Sequence, residues 1–271
     1  MKINWILCMI TLLVSVCLAG NVKASRKEAQ LDSSVINSES LLKDKIIFFG
    51  HQSVGENIIN GMKLINPNFE QGIHDIKENP DIRLNEPGFF HAKVGKNNDP
   101  KSKIAEFDRI IRNSFQGRVD IAFVKLCYVD FNKNTDMEDL FIYYKTTMDK
   151  LRHDYPDIKF VHLTVPLTRN NENWKTKIKK ITGLGDLWEY GNNVLRNKYS
   201  KMILNEFSGK EPVFDIAQLE STRSDGTRVS FELHGQTYDA LAPELTSDGG
   251  HLNDQGSRLI ATELLNYMST L

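Results

Sequence analysis

Short apolar runs alternate with stretches whose apolar residues recur at helical spacing. This alternation constrains the fold more than any other feature of the chain. Ile46-Ile47-Phe48-Phe49, Ile121-Ala122-Phe123-Val124, the run from Lys159 to Val165 that Pro166 ends, and Pro212-Val213-Phe214 read as buried strands. A further short strand is expected around Phe89 to Lys93. Between them, Val54, Ile58, Ile59 and Met62 predict a helix over 53–65, and Ile104, Phe107, Ile110 and Ile111 form a second helical stripe. Helices are also predicted over 137–153, 187–207 and 254–269, the last with Leu259, Ile260, Leu264 and Met268 on its apolar face. Strands that are apolar throughout need cover on both faces, so the fold class is α/β. The expected architecture is a flavodoxin-like three-layer α/β/α sandwich with a parallel, roughly five-stranded sheet. Arg228 to Tyr238 alternates and predicts a hairpin turning at His234-Gly235.

The N-terminus stands apart from this pattern. Lys2 precedes an apolar run from Ile6 to Ala19, and Val22-Lys23-Ala24 fits a small-residue cleavage site. Residues 1–24 therefore read as a signal peptide, and the run is too short to favour a retained span. The expected location is secreted or periplasmic, with no stable membrane insertion after cleavage. Residues 25–44 read as a polar lead-in and 45–271 as a single domain. Cleavage removes Lys2 and Lys23 and no acid, so 34 basic against 35 acidic side chains become 32 against 35. That balance, without a basic stripe, excludes nucleic acid as an electrostatic partner. Cleavage also removes Cys8 and Cys17, leaving Cys127 alone. No internal disulfide can form, and the core must carry stability.

In a parallel sheet, ligands bind beyond the carboxyl ends of the strands. Ser53, Gly95, the stretch Cys127 to Asp130 and the stretch Pro166 to Arg169 all fall at such ends. Ser53 sits at a strand-to-helix junction between Gly50 and Gly55. As an N-cap it would form a capping box with Glu56; as a nucleophile it would need a base. The stretch Thr246-Ser247-Asp248-Gly249-Gly250-His251-Leu252-Asn253-Asp254 supplies one just before the last helix. The spacing of Asp248 and His251 lets the carboxylate meet the Nδ1–H of the histidine and leaves Nε2 for Ser53. The expectation is that Ser53 both caps and attacks. Asp248 could also brace the Gly249-Gly250 turn. His51, His251 and Asp248 are acceptable metal ligands by type, but their spacing does not demand a metal.

An early serine at a strand end, with Asp-x-x-His before a terminal helix, resembles the SGNH hydrolases, also called the GDSL family. The likeness runs from about Lys45 to Leu271 and implies an SGNH-hydrolase-like domain with the catalytic residues Ser53, Asp248 and His251. Gly50-His51-Gln52-Ser53 replaces the usual Gly-Asp-Ser. Gly95 fits the glycine whose N–H joins that of the nucleophile, Ser53, in the oxyanion hole. At the family's Gly-x-Asn-Asp the chain reads Cys127-Tyr128-Val129-Asp130, so Val129 stands where an oxyanion-binding Asn is usual. Asn132, Tyr128 and Gln52 are candidates for the missing donor, with Asn57 behind them. Gln52, Asn132 and Trp174, the last in an Asn-rich loop, are candidate substrate-binding residues. The resemblance implies a serine esterase acting on a small-molecule or carbohydrate ester, such as an acetyl ester, with no cofactor and no metal. Two alternatives stay open: an acyltransferase acting on an exported polysaccharide, and a catalytically inactive carbohydrate-binding module made credible by Val129.

Overall fold

The structure, a computed structural model, describes residues 40–170 and 188–271, and the side chains of all these except 188–191. The expected signal peptide and Trp174 lie outside the described residues. Elements run in the order β1 (Ile46–His51), α1 (Ser53–Ile65), β2 (Ile73–Asp75), β3 (Gly88–Lys93), α2 (Pro100–Arg109), β4 (Ile121–Val124), α3 (Met137–Asp154), β5 (Lys159–Phe160), β6 (His162–Leu163), α4 (Trp188–Phe207), β7 (Val213–Phe214), α5 (Ile216–Glu220), β8 (Ser230–Leu233), β9 (Gln236–Asp239) and α6 (Asp254–Met268). The expected polar lead-in ends in a helical turn over 40–44, where Leu41 and Leu42 are buried against the core.

The central sheet has five strands in the order β2-β3-β1-β4-β5, and every pairing is parallel. Successive side chains of a strand point to opposite faces, and β1 shows the consequence. Ile47 and Phe49 pack with Val54, Ile58 and Met62 of α1 and with Ile260, Ala261 and Leu264 of α6. Phe48 lies on the other face with Phe107 of α2, Leu140 and Leu151 of α3, and Tyr199 of α4. The result is the α/β/α sandwich that the apolar strands require. Helices α1 and α6 approach so closely at Gly61 that an added Cβ would stand 2.1 Å from the Ser257 carbonyl oxygen.

Two strand assignments differ from the sequence reading. The fifth strand of the sheet is β2, drawn from the polar 66–100 stretch; Val213–Phe214 instead pairs with His162–Leu163 in a separate two-stranded ladder. The run from Lys159 splits at Val161, whose N–H still donates to Ala122 O at 3.0 Å, so β6 carries the sheet's line onward to β7. The hairpin forms as expected, with His234 and Gly235 at φ 50° and 72°, the left-handed pair that a tight two-residue turn needs.

Candidate active site

The loop from Thr246 to Leu252 is closed at its base by an antiparallel bridge between those two residues. Within it, Asp248 Oδ1 accepts from the N–H groups of Gly250 and His251, both at 2.8 Å. Its Oδ2 accepts from His251 Nδ1 at 2.6 Å. The carboxylate thus braces the turn and fixes the imidazole at once. The N–H of Gly250 and the His251 ring hold the Asp248 carboxyl well below the usual carboxylate range. Because Nδ1 carries the proton toward Asp248, Nε2 presents a lone pair. The pair is open to solvent, with side-chain exposures of 39% for His251 and 57% for Asp248. Its contribution to stability is therefore small, and its evident effect is to orient the imidazole.

Ser53 opens α1 at the carboxyl end of β1, but it is not the N-cap. That position belongs to Gln52, whose extended backbone carbonyl accepts from Gly55 N and Glu56 N at 2.8 and 3.2 Å. The capping box expected of Ser53 is absent for a tertiary reason: the preceding residue is held by the next strand. Gln52 Nε2 donates to Val94 O at 2.8 Å and to Gly95 O at 3.1 Å. Gln52 therefore spends its amide nitrogen on the backbone and staples the β1–α1 junction to the end of β3, so that nitrogen is not free to meet a substrate in this conformation. Released from capping, the half-buried Ser53 hydroxyl hydrogen-bonds to nothing among the described residues. One helical turn on, Asn57 Oδ1 accepts from Leu252 N at 3.3 Å. Residues four apart share a helix face, so the face that carries Ser53 abuts the residue following His251.

The serine-to-histidine arm of a triad is not closed in this conformation. His251 Nε2 instead meets the Tyr128 hydroxyl at 3.4 Å, and the two rings pack edge to face at 5.6 Å. Tyr128 is half-buried, and desolvation followed by the nearby Asp248 charge raises its phenol above the ordinary value, so the hydroxyl keeps its proton and donates. Arg196 supports it from below. The guanidinium lies 5.5 Å from the Tyr128 ring, donates to Tyr128 O at 2.9 Å, and also reaches Thr168 Oγ1 and Asn193 Oδ1.

Gly95 differs from expectation. Its N–H donates to Glu106 Oε2 at 2.5 Å, so it is not free to meet an oxyanion here. A glycine is needed there on other grounds: φ is 58°, and a Cβ would stand 2.4 Å from the Lys103 nitrogen. Val129 lies beside the cleft without a polar group to offer, whereas Asn132, a candidate from the sequence, lines it. The Asp that follows Val129 is structural. Asp130 is fully buried against Lys103, whose Nζ donates to its two oxygens at 2.7 and 2.6 Å. The same carboxylate accepts from Cys127 N at 2.7 Å and Asn98 N at 3.0 Å, joining the two loops that flank the site.

His51 is turned into the core rather than toward His251. Its Nδ1 donates to Gln52 O at 2.9 Å, and its Nε2 accepts from His91 Nδ1 at 3.0 Å. Burial lowers its pKa to about 3. Among the described residues no group of three or more His, Cys, Asp or Glu side chains could hold a metal ion. Nor is any helix there long and apolar enough to cross a membrane. Tyr128 was among the residues the sequence singled out; Lys103, Arg196 and Asn98 were not. A lysine and an arginine in polar helical stretches carry no sequence signal of burial.

Several solved structures similar to this chain carry lipase, acylhydrolase or acetyltransferase descriptions. A Parabacteroides merdae protein described as GDSL-like lipase is 13% identical, with a TM-score of 0.49 over 84% of this chain and 97% of that one. The lipase/acylhydrolase of Enterococcus faecalis is 11% identical, with a TM-score of 0.46 over 83% and 95%. The periplasmic domain of a lipopolysaccharide acetyltransferase from Salmonella ser. Paratyphi A is 15% identical, with a TM-score of 0.42 over 81% and 82%. No family model matches this chain, and no curated protein does.

Proposed function

We propose that the protein is an exported serine esterase that cleaves a small acyl group, such as acetyl, from a polar alcohol. One observation carries this reading: the 2.6 Å bond from His251 Nδ1 to Asp248, which leaves the Nε2 lone pair beside the helix face that bears Ser53. In the first step His251 leaves the Tyr128 hydroxyl and takes the Ser53 proton while Oγ attacks the ester carbonyl. The tetrahedral oxyanion forms beside the N-terminus of α1, where the Ser53 N–H has no acceptor among the described residues. The Tyr128 hydroxyl, freed by the same movement, is the second donor and takes the part of the missing Asn. His251 then gives its proton to the leaving alkoxide, and the alcohol departs from an acyl-serine. Water attacks that ester with His251 as base, and the free acid leaves with Ser53 reprotonated. Export rests on the sequence of residues 1–24.

The open arm between His251 and Ser53 favours a second reading, a binding module that holds an ester or saccharide without turning it over. Acetate release from an acetylated saccharide separates the two. An esterase loses release in Ser53→Ala. A binding module releases nothing in either form and keeps its ligand. Appearance of acetyl groups on an added oligosaccharide, in place of free acetate, would make the protein a transferase using the same residues.

A further inference from the structure

A cleft of about 460 Å³ opens beside the candidate site, bounded by Tyr128 and by Gly249 and Gly250 of the Asp248 loop. Its wall is made of amides, a hydroxyl and guanidinium groups: Asn98, Asn132, Thr168, Arg169 and Arg196. Among the described residues Val129 is the one aliphatic side chain that lines it. Such a wall suits a hydroxyl-rich group.

The charges of the cleft do not balance. Asp248 is committed to His251 and to two backbone N–H groups. Arg196 is buried and spent on Tyr128 O, Thr168 Oγ1 and Asn193 Oδ1. Arg169 is different. Its backbone is fixed, since its N–H donates to Gly249 O at 2.7 Å and its Cβ lies 3.8 Å from where a Gly249 Cβ would stand. Arg169 is exposed and lines the cleft, and its side chain has no carboxylate partner among the described residues. A planar fork of N–H donors at a polar cleft whose one acid among the described lining residues, Asp248, is already bonded to His251 matches a carboxylate better than any neutral group.

We propose that the alcohol part of the substrate is an acidic saccharide, and that Arg169 binds its carboxylate. The inference rests on the esterase reading for turnover, but the preference for an anion is readable without turnover. The test compares mono-O-acetylated methyl glucuronoside with mono-O-acetylated methyl glucoside, which differ in having a carboxylate or a hydroxymethyl group. The expected result is a preference for the glucuronoside of about tenfold in kcat/KM, expressed in KM, as for one charge-assisted contact in a wet cleft. In Arg169→Gln, shown to be folded by circular dichroism, the ratio falls toward one. Equal kcat/KM for the two substrates would overturn the proposal, as would an Arg169→Gln variant that keeps the preference.

Calorimetry of Ser53→Ala with oligo-glucuronate and with a neutral glucan oligomer reads the same preference separately. If nothing is turned over but oligo-glucuronate binds in an Arg169-dependent way, the esterase reading falls and the acidic ligand stands. If turnover occurs and neither assay shows an anion preference, the esterase reading stands and the acidic ligand falls.

Discussion

Asp130→Ala removes the acid that holds both flanks of the site together, and its cost can be worked from the contacts. Lys103 and Asp130 have side-chain exposures of 0% each, and the ammonium reaches both carboxylate oxygens. Deleting the acid leaves the buried ammonium with Asn97 Oδ1, at 3.1 Å, as its remaining partner. Breaking a buried pair from one side costs about 3–5 kcal/mol. The variant also strands the buried N–H of Cys127, at about 1 kcal/mol, whereas water can take up the N–H of the exposed Asn98. The expected loss is about 4–6 kcal/mol, a large part of the roughly 5–15 kcal/mol that keeps a domain folded. Urea unfolding followed by circular dichroism measures it. A second variant, Lys103→Met with Asp130→Leu, removes both charges and should recover at least half of the loss. A loss below about 1 kcal/mol in Asp130→Ala would refute the reasoning, and so would a double variant no more stable than the single one.

Further outcomes follow from the same geometry. Tyr128→Phe keeps the ring against His251 and deletes the hydroxyl; kcat should fall by about 10²–10³, the usual effect of one oxyanion donor, and an unchanged kcat would remove Tyr128 from the mechanism. Gly250→Ala brings a Cβ to 2.9 Å from the Tyr128 hydroxyl, so it should impair turnover while α6 and the core keep their melting behaviour; full activity would mean that the tyrosine is not held as described. His51 binds a proton in the unfolded chain near pH 6.5 but in the fold only near pH 3, so its stabilising effect is complete above pH 6.5 and is lost as pH falls toward 3. Between pH 7.5 and pH 5 this one group should take away about 2 kcal/mol of unfolding free energy, and a flat urea midpoint across that range would contradict the burial argument.

How much of this could be read from the sequence differed by kind of interaction. The strands β1 and β4 were legible because their residues are apolar on both faces, and α1 because Val54, Ile58, Ile59 and Met62 mark one stripe. The Asp248–His251 bond was legible because both partners lie within one turn of chain. Strand β2 was not, since it has three residues at the sheet edge and only Ile73 of them is buried. The cap moved from Ser53 to Gln52 because Gln52 is tied to residues over forty positions away. Gly95 was picked as an oxyanion donor from its place after a strand, but its N–H is taken by Glu106, a partner that no local pattern announces. Lys103 and Arg196 lie in polar helical stretches and were not singled out; only the tertiary approach of Asp130 and Tyr128 explains why they are inside.

The central claim is that Ser53 is an activated nucleophile served by His251. Labelling the protein with a fluorophosphonate probe, and locating the adduct by peptide mass spectrometry, tests this most directly. The account predicts label on Ser53 in the native protein and its loss in a folded His251→Ala variant. Native protein that takes no label, or label on Ser53 that survives His251→Ala, would contradict it.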